Sequence, residues 1–183
     1  MRIETKRLVL RPFTVSDAAD LFEYLREPTV HCFACMKLSD MGAAEKAAKE
    51  RMQDEMYFAI ELKESGKVIG EIFAHAEATD PTNTAKDTYS PCWMLNIDYQ
   101  GQGYMYEAAH AFFDTLFHEL GARRIYLYTE DDNFPCQKLS EKLGMRQEGL
   151  FREFVTFVND EDGKPIYENT YQYAILKKEW ESR

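Results

Sequence analysis

Hydrophobic and polar residues change period several times along the chain, and each change marks an element. Residues 8–11 alternate as a strand. Ser16-Asp17 then opens a helix whose apolar positions, Ala18, Leu21, Phe22 and Leu25, share one face and which stops at Pro28. A second helix, which Ser39 can cap, carries Ala43, Ala44, Ala47, Ala48 and Met52 towards Glu55. Residues 57–62 and 68–76 read as a hairpin around Ser65-Gly66-Lys67, and 79–91 as a polar loop without periodicity. An apolar strand follows at 92–97. From Met105 through Ala108, Ala109, Phe112, Leu116 and Leu120 the spacing is helical, with Gly121 as its stop. Residues 125–129 are a strand, 134–143 a helix stopped at Gly144, and 151–158 with 167–176 a last hairpin around Asp162-Gly163. Strands, then β-α-β-α, then a hairpin predict an α/β fold with one mixed sheet flanked by helices.

Between the 92–97 strand and the helix lies Gln100-Gly101-Gln102-Gly103-Tyr104-Met105. Two glycines allow a tight turn and a close backbone approach, and the first amides of the helix point outward, unpaired, at the positive end of its dipole. This is an anion cradle that fits a phosphate. It is no P-loop, since no Gly-Lys-Ser or Gly-Lys-Thr occurs, and no dinucleotide fingerprint, since the third glycine is replaced by Tyr106.

The Gln-x-x-Gly-x-x order, followed by Glu107-Ala108, resembles the coenzyme A pyrophosphate loop of the GNAT N-acetyltransferases, in the form found in the ribosomal-protein N-terminal (alanine/serine) acetyltransferases. The 5–12 stretch, Thr5-Lys6-Arg7-Leu8-Val9-Leu10-Arg11-Pro12, resembles that branch's opening strand. Asn133 with Glu141-Lys142-Leu143-Gly144-Met145 resembles its second half. Two positions depart: Met105 stands where the family usually has Gly or Ala, and Cys136 where a serine is common. The resemblance implies a mostly antiparallel twisted sheet of about seven strands with about four helices. It also implies a V-shaped splay between the strands 92–97 and 125–129 that holds the pantetheine arm. Amides of Leu95 and Ile97 would pair with the arm, and those of Gln102, Gly103, Tyr104, Met105 and Tyr106 would hold the pyrophosphate. Met105 must then point its side chain away from the phosphates.

At 183 residues and 45% hydrophobic, with no linker, the chain is long enough for one domain, 1–183, with its own core. A net charge of -10 argues against nucleic acid as a partner and suits a cationic one. No apolar run approaches a membrane span, and the four cysteines show no secreted framework, which points to the cytoplasm. The spacing in His31-Cys32-Phe33-Ala34-Cys35 lacks the second pair of ligands a structural zinc needs, so no metal is expected and Phe33 reads as packing. The expected state is monomer or homodimer.

Amine attack on a thioester needs a neutral amine, an oxyanion donor and a proton for the thiolate. Glu71 and His75 share a strand face, as do Tyr126, Tyr128 and Glu130; Glu71 is the candidate base and Tyr128 a further catalytic candidate. The amide near Leu95 is the candidate oxyanion donor. Asn133 is an N-cap to Cys136, and the resemblance adds a contact to the pantetheine arm. Cys136 reads either as a small buried residue or as the thiol that protonates coenzyme A; at a helix start the dipole would lower its pKa. The expected activity is direct acetyl transfer from acetyl-CoA to a primary amine of a small cationic metabolite, an antibiotic or a peptide N-terminus, with Glu71, Glu77, Asp80 and Asp87 favouring a cation. The competing function is an acyl-CoA-binding module with little turnover.

Overall fold

The computed structural model describes residues 1–77 and 86–183. Its strands are β1 (Ile3–Glu4), β2 (Leu8–Pro12), β3 (Tyr57–Leu62), β4 (Val68–Glu77), β5 (Thr88–Leu95), β6 (Arg124–Glu130), β7 (Arg146–Asn159) and β8 (Pro165–Leu176). They form one sheet in the order β1-β2-β3-β4-β5-β6-β8-β7, antiparallel except where β5 meets β6. The helices are α1 (Ala18–Leu25), α2 (Met41–Arg51), α3 (Tyr104–His118), α4 (Phe134–Lys142) and the short α5 (Lys177–Trp180).

Each sheet face has its own core. Leu21, Leu25, Ala44 and Ala48 of α1 and α2 pack with Ala59, Val68 and Met94 on one side. Phe112, Phe113, Leu116 and Phe117 of α3 pack with Leu8, Leu10, Phe58 and Ile72 on the other, joined by Cys136 and Leu139 of α4. The alternation of adjacent strand residues between these cores is the strand period of two.

The mixed, mostly antiparallel fold agrees with the sequence reading, with differences in detail. There are eight strands because the two-residue β1 pairs with β2 through Ile3↔Leu10. Residues 88–91, expected in a loop, are strand, and β5 ends at Leu95. The rest of that expected loop, 79–85, lies outside the described residues apart from Lys86 and Asp87, which precede β5. Asp40, not Ser39, caps α2, its carboxylate accepting from the Ala43 N–H at 2.9 Å. The last hairpin is longer than expected; β7 shifts register three times against β8, and Glu153 in one of the bulges has φ of 46°.

The feature that positions the site is a pairing that stops. β4 and β5 pair over eight positions, from Gly70↔Leu95 to Glu77↔Thr88, but β5 and β6 pair only at Thr88↔Arg124 and Tyr89↔Ile125. The Asn96 N–H bonds the Ile69 carbonyl on the β4 side, and the Asp87 carbonyl accepts from the Arg124 N–H on the β6 side, so the odd-numbered residues of β5 turn their backbone groups to β6. Pro91 is the first such residue after the last pair. It has no N–H to give, and the strands part there.

Candidate active site

The gap opens into a cleft of about 590 Å³ bounded by β5, β6, the start of α3 and the start of α4. At its mouth, Gly101 and Gly103 have φ of 74° and 81°, a region that costs side chains strain, and Gly103 is the residue before α3. An added Cβ on Gly103 would meet only the Arg7 guanidinium, at 3.5 Å, so the backbone there is open to a ligand. The first intrahelical bond of α3 runs from the Glu107 N–H to the Gly103 carbonyl. The amides of Tyr104, Met105 and Tyr106 precede it and have no partner within the helix. The Met105 side chain is buried in the core that α3 forms with the sheet, although the residue also borders the cleft. Gln102 turns its side-chain amide back to the Asp98 carbonyl.

Arg7 was not singled out by sequence. Its Nε meets Glu107 Oε2 at 2.7 Å, its Nη1 donates to the Gln102 carbonyl at 3.1 Å, and its guanidinium lies 4.3 Å over the Tyr104 ring. Thr5 Oγ1 and the Arg7 N–H both donate to Glu107 Oε1. The opening strand therefore fastens the first turn of α3 and brings a cation to an anion site in an otherwise acidic chain.

Along the gap, the strand parity turns the amides of Trp93 and Leu95 towards β6. Leu95 keeps its expected place. Ile97 does not: it falls in a 3-10 turn, Ile97–Tyr99, with its side chain 63% exposed and its carbonyl taken by the Gln100 N–H. The two-residue period was carried past the end of β5; within the strand, the residue that shares the parity of Leu95 is Trp93.

On the opposite wall, Asn133 caps α4 by accepting from the Cys136 N–H at 3.2 Å, and its Nδ2 points at Glu130 Oε2, 3.4 Å away. Its nitrogen is thus turned to a carboxylate beside the cleft. Cys136 lines the cleft, but burial pushes its thiol up to about 11, beyond what the helix dipole offsets. The expected lowering is corrected. A thiol held that firmly is a weaker acid than an ordinary cysteine thiol, which ionises at about 8.5. The neighbouring Thr129 hydroxyl is buried and has no partner among the described residues.

Glu71 is corrected as well. It is 1% exposed and lies behind the cleft wall, where its oxygens accept from Arg51 Nε at 2.9 Å, Arg51 Nη2 at 3.1 Å, Tyr24 Oη at 3.0 Å and Tyr57 Oη at 2.9 Å. A carboxylate with four donors has no lone pair left for a substrate proton. Asp87 is tied to Arg123 Nε at 3.0 Å, Glu77 accepts from Tyr126 Oη at 2.6 Å, and Asp80 lies outside the described residues. Tyr128 does line the cleft. Its hydroxyl accepts from Gln172 Nε2 at 3.1 Å and remains able to donate. His31 turns to Glu168 at 2.5 Å instead of joining Cys32 and Cys35.

Three carboxylates line the cleft, Glu23, Glu27 and Glu130; Glu23 is paired with Lys67 at 2.7 Å, Glu27 is exposed, and the buried one is Glu130, 6% exposed. Burial alone would raise its pKa, yet the Cys32 thiol and N–H and the Asn133 amide hold it below the usual carboxylate value, so it is ionised at neutral pH. Sequence placed it on a face with Tyr126 and Tyr128 without seeing that it is the buried carboxylate of the cleft, with no cation in ion-pair distance among the described residues.

A mixed sheet split at one strand pair, with a helix-start cradle at the mouth of the split, is the architecture of an acyl-CoA acyltransferase. The Acetyltransferase (GNAT) domain family matches residues 7–146, and the chain belongs to that family of acetyl-CoA-using enzymes. An N-acetyltransferase of Bacillus subtilis (strain 168), YnaD, is 29% identical over 98% of this chain and 99% of its own. A GNAT-family acetyltransferase from Bacillus anthracis superposes with a TM-score of 0.84 at 27% identity, over 98% of this chain and all of its own. Ribosomal-protein-S5-alanine acetyltransferase from Vibrio fischeri shares the fold, with a TM-score of 0.74 at 18% identity over 98% of each chain.

Proposed function

We propose that the protein moves an acetyl group from acetyl-CoA directly to a primary amine. The observation that carries this is the run of β5 amides at Trp93 and Leu95 that face β6 without pairing to it and lead to the cradle at Gly103. A pantetheine arm has the amide groups to complete such an edge, as a peptide strand would. The pyrophosphate is assigned to the amides of Gln102 to Tyr106, with Arg7 adding charge. Asn133, which lines the cleft on the α4 side, is assigned a contact to the arm. The Leu95 N–H is the fixed dipole assigned to the thioester oxygen as it becomes an oxyanion.

The amine attacks the thioester carbon, the C–S bond breaks, and coenzyme A leaves as thiolate. The Cys136 thiol is raised by burial, so we assign that proton to solvent in the open cleft, with the exposed Tyr128 hydroxyl, still able to donate, as its relay. Glu130, kept ionised, attracts an ammonium but is a weak base for it, and water carries the surplus proton away. Relatives named N-acetyltransferases, YnaD among them, support this reading over a module that merely holds acyl-CoA.

Thiol release from acetyl-CoA with a panel of primary amines separates the two. Amine-dependent release supports the enzyme; coenzyme A binding without release from any amine supports the binding module. Coenzyme A at about 100 times its dissociation constant should stabilise the fold by roughly 2.7 kcal/mol. No melting shift at millimolar coenzyme A overturns both.

A further inference from the structure

Resting on the acetyl-transfer reading, we infer that the acceptor is an arylalkyl ammonium: a primary amine joined by a short alkyl chain to an aromatic ring. Both halves of such a molecule have a place on the α1/α2 face of the sheet beside β6.

The charged half belongs at Glu130. This carboxylate lines the cleft, is 94% removed from solvent by the same measure that leaves it 6% exposed, and has no Lys, Arg or His within ion-pair distance among the described residues. Its contacts are the Cys32 N–H at 3.1 Å, the Cys32 thiol and the Asn133 amide at 3.4 Å, all neutral donors around a full negative charge. Buried charges are ordinarily paired. The other buried carboxylates have their cations: Glu71 has Arg51, and Asp17, also 6% exposed, has Arg11 at 2.8 Å. Directly across the strand pair from Glu130 is Thr170, 3% exposed, whose hydroxyl has no partner among the described residues, and two residues further along the same face Glu168 Oε2 has none there either, its Oε1 being taken by His31. An ammonium brings a charge and three donors; this corner holds a buried carboxylate without a cation and two acceptors, Thr170 Oγ1 and Glu168 Oε2, that lack a donor among the described residues.

The apolar half belongs on an aromatic platform next to it. Tyr128, two residues before Glu130 on the same face, is 44% exposed, and its ring stands 5.9 Å from Phe151 and 5.6 Å from Phe154. Phe151 and Phe154 lie 5.0 Å apart and are 38% and 51% exposed. They share a face because of the β7 irregularity between Phe151 and Val155, where Glu153 takes its positive φ. Phe151 pairs with Thr170, which pairs with Glu130, so ring, hydroxyl and carboxylate stand in one row across β7, β8 and β6. Strand spacing puts Phe151 about 10 Å and Tyr128 about 7 Å from Glu130, backbone to backbone. Side chains leaning inward reduce that to the reach of an arylalkyl amine. A polyamine would satisfy the carboxylate and leave three rings wet; a neutral arene would do the reverse.

The test compares phenethylamine with ethanolamine, putrescine and a peptide with a small polar N-terminal residue, as acceptors and as ligands of the coenzyme A-loaded protein. Phenethylamine should have the highest kcat/KM, by about tenfold or more, the scale of one well-placed apolar contact. Phe154→Ala should bring the ratio of phenethylamine to ethanolamine close to one, mainly through KM, and Glu130→Gln should weaken phenethylamine binding while coenzyme A binding, titrated separately, reports that the fold is kept. Equal kcat/KM across the panel, preference for the polyamine or the peptide, or no heat of binding with millimolar phenethylamine overturns the inference. Loss of coenzyme A binding by the unaltered protein would instead count against the acetyl-transfer reading.

Discussion

Replacing Glu71 by glutamine separates a structural carboxylate from a catalytic one. In the native protein this side chain holds both nitrogens of the Arg51 fork and two phenol hydroxyls, and the Arg51 side chain is 9% exposed. Glutamine keeps the shape but has one acceptor oxygen, no charge, and an NH2 group turned towards donors. The guanidinium is then a buried charge without a counterion, a loss of about 3–5 kcal/mol. For 183 residues the unfolding entropy is roughly 0.38 kcal/mol/K near the melting point, so Tm should fall by about 10 °C. Urea unfolding should move its midpoint down with the slope unchanged. Adding Arg51→Met removes the stranded charge, and the double variant should be no less stable than Glu71→Gln alone. Turnover per folded molecule, measured well below the lowered Tm, should stay within a few-fold. A drop of about 10² or more in kcat with an unmoved urea midpoint would refute this reasoning and restore Glu71 as the base.

Cys136→Ala should leave kcat within a few-fold and lower Tm slightly, because its thiol is a packed, firmly protonated group; steady-state kinetics with a hundredfold loss would return it to the mechanism. Gly103→Val forces a β-branched residue to a φ of 81° at a cost of roughly 1–3 kcal/mol and crowds the cradle, so calorimetry should find coenzyme A binding abolished. For Asp17, burial would raise the pKa, but the Arg11 fork and Thr14 outweigh it and hold it below 3.8. A depressed folded pKa contributes stability that is present above the unfolded value and lost as pH falls through the folded one. Melting followed downward from about pH 5 should therefore decline less steeply in Asp17→Asn than in the native protein, and parallel acid limbs would show that the Arg11 contact contributes nothing.

What could be read from sequence was whatever depends on neighbours in the chain. The helical faces of α1 and α3, the Gly66 and Gly163 hairpins, the cradle and the Asn133 cap are all set within a few residues. Elements fixed by distant partners were misread. Glu71 looked free on an alternating strand because Arg51 and Tyr24 are 20 and 47 residues away. Residues 88–91 looked like loop because Pro91 argues against a central strand, and nothing local says that this strand becomes an edge halfway along the sheet. Cys136 was placed correctly at a helix start, but its pKa follows from burial against the sheet, which a helix position alone does not disclose.

Pro91 and the parted strands give the sheet an edge in its middle. If acetyl-CoA fills it, the cofactor acts as a piece of secondary structure that the gene does not encode, and its thermodynamic signature should be local. Hydrogen exchange at the Trp93 and Leu95 amides should be fast in the free protein and slow on binding, while the β4 side of the same strand, already paired, changes little. The folding of this sheet would then be finished by a metabolite, and the cell's supply of acetyl-CoA would set how much of the protein carries a complete one.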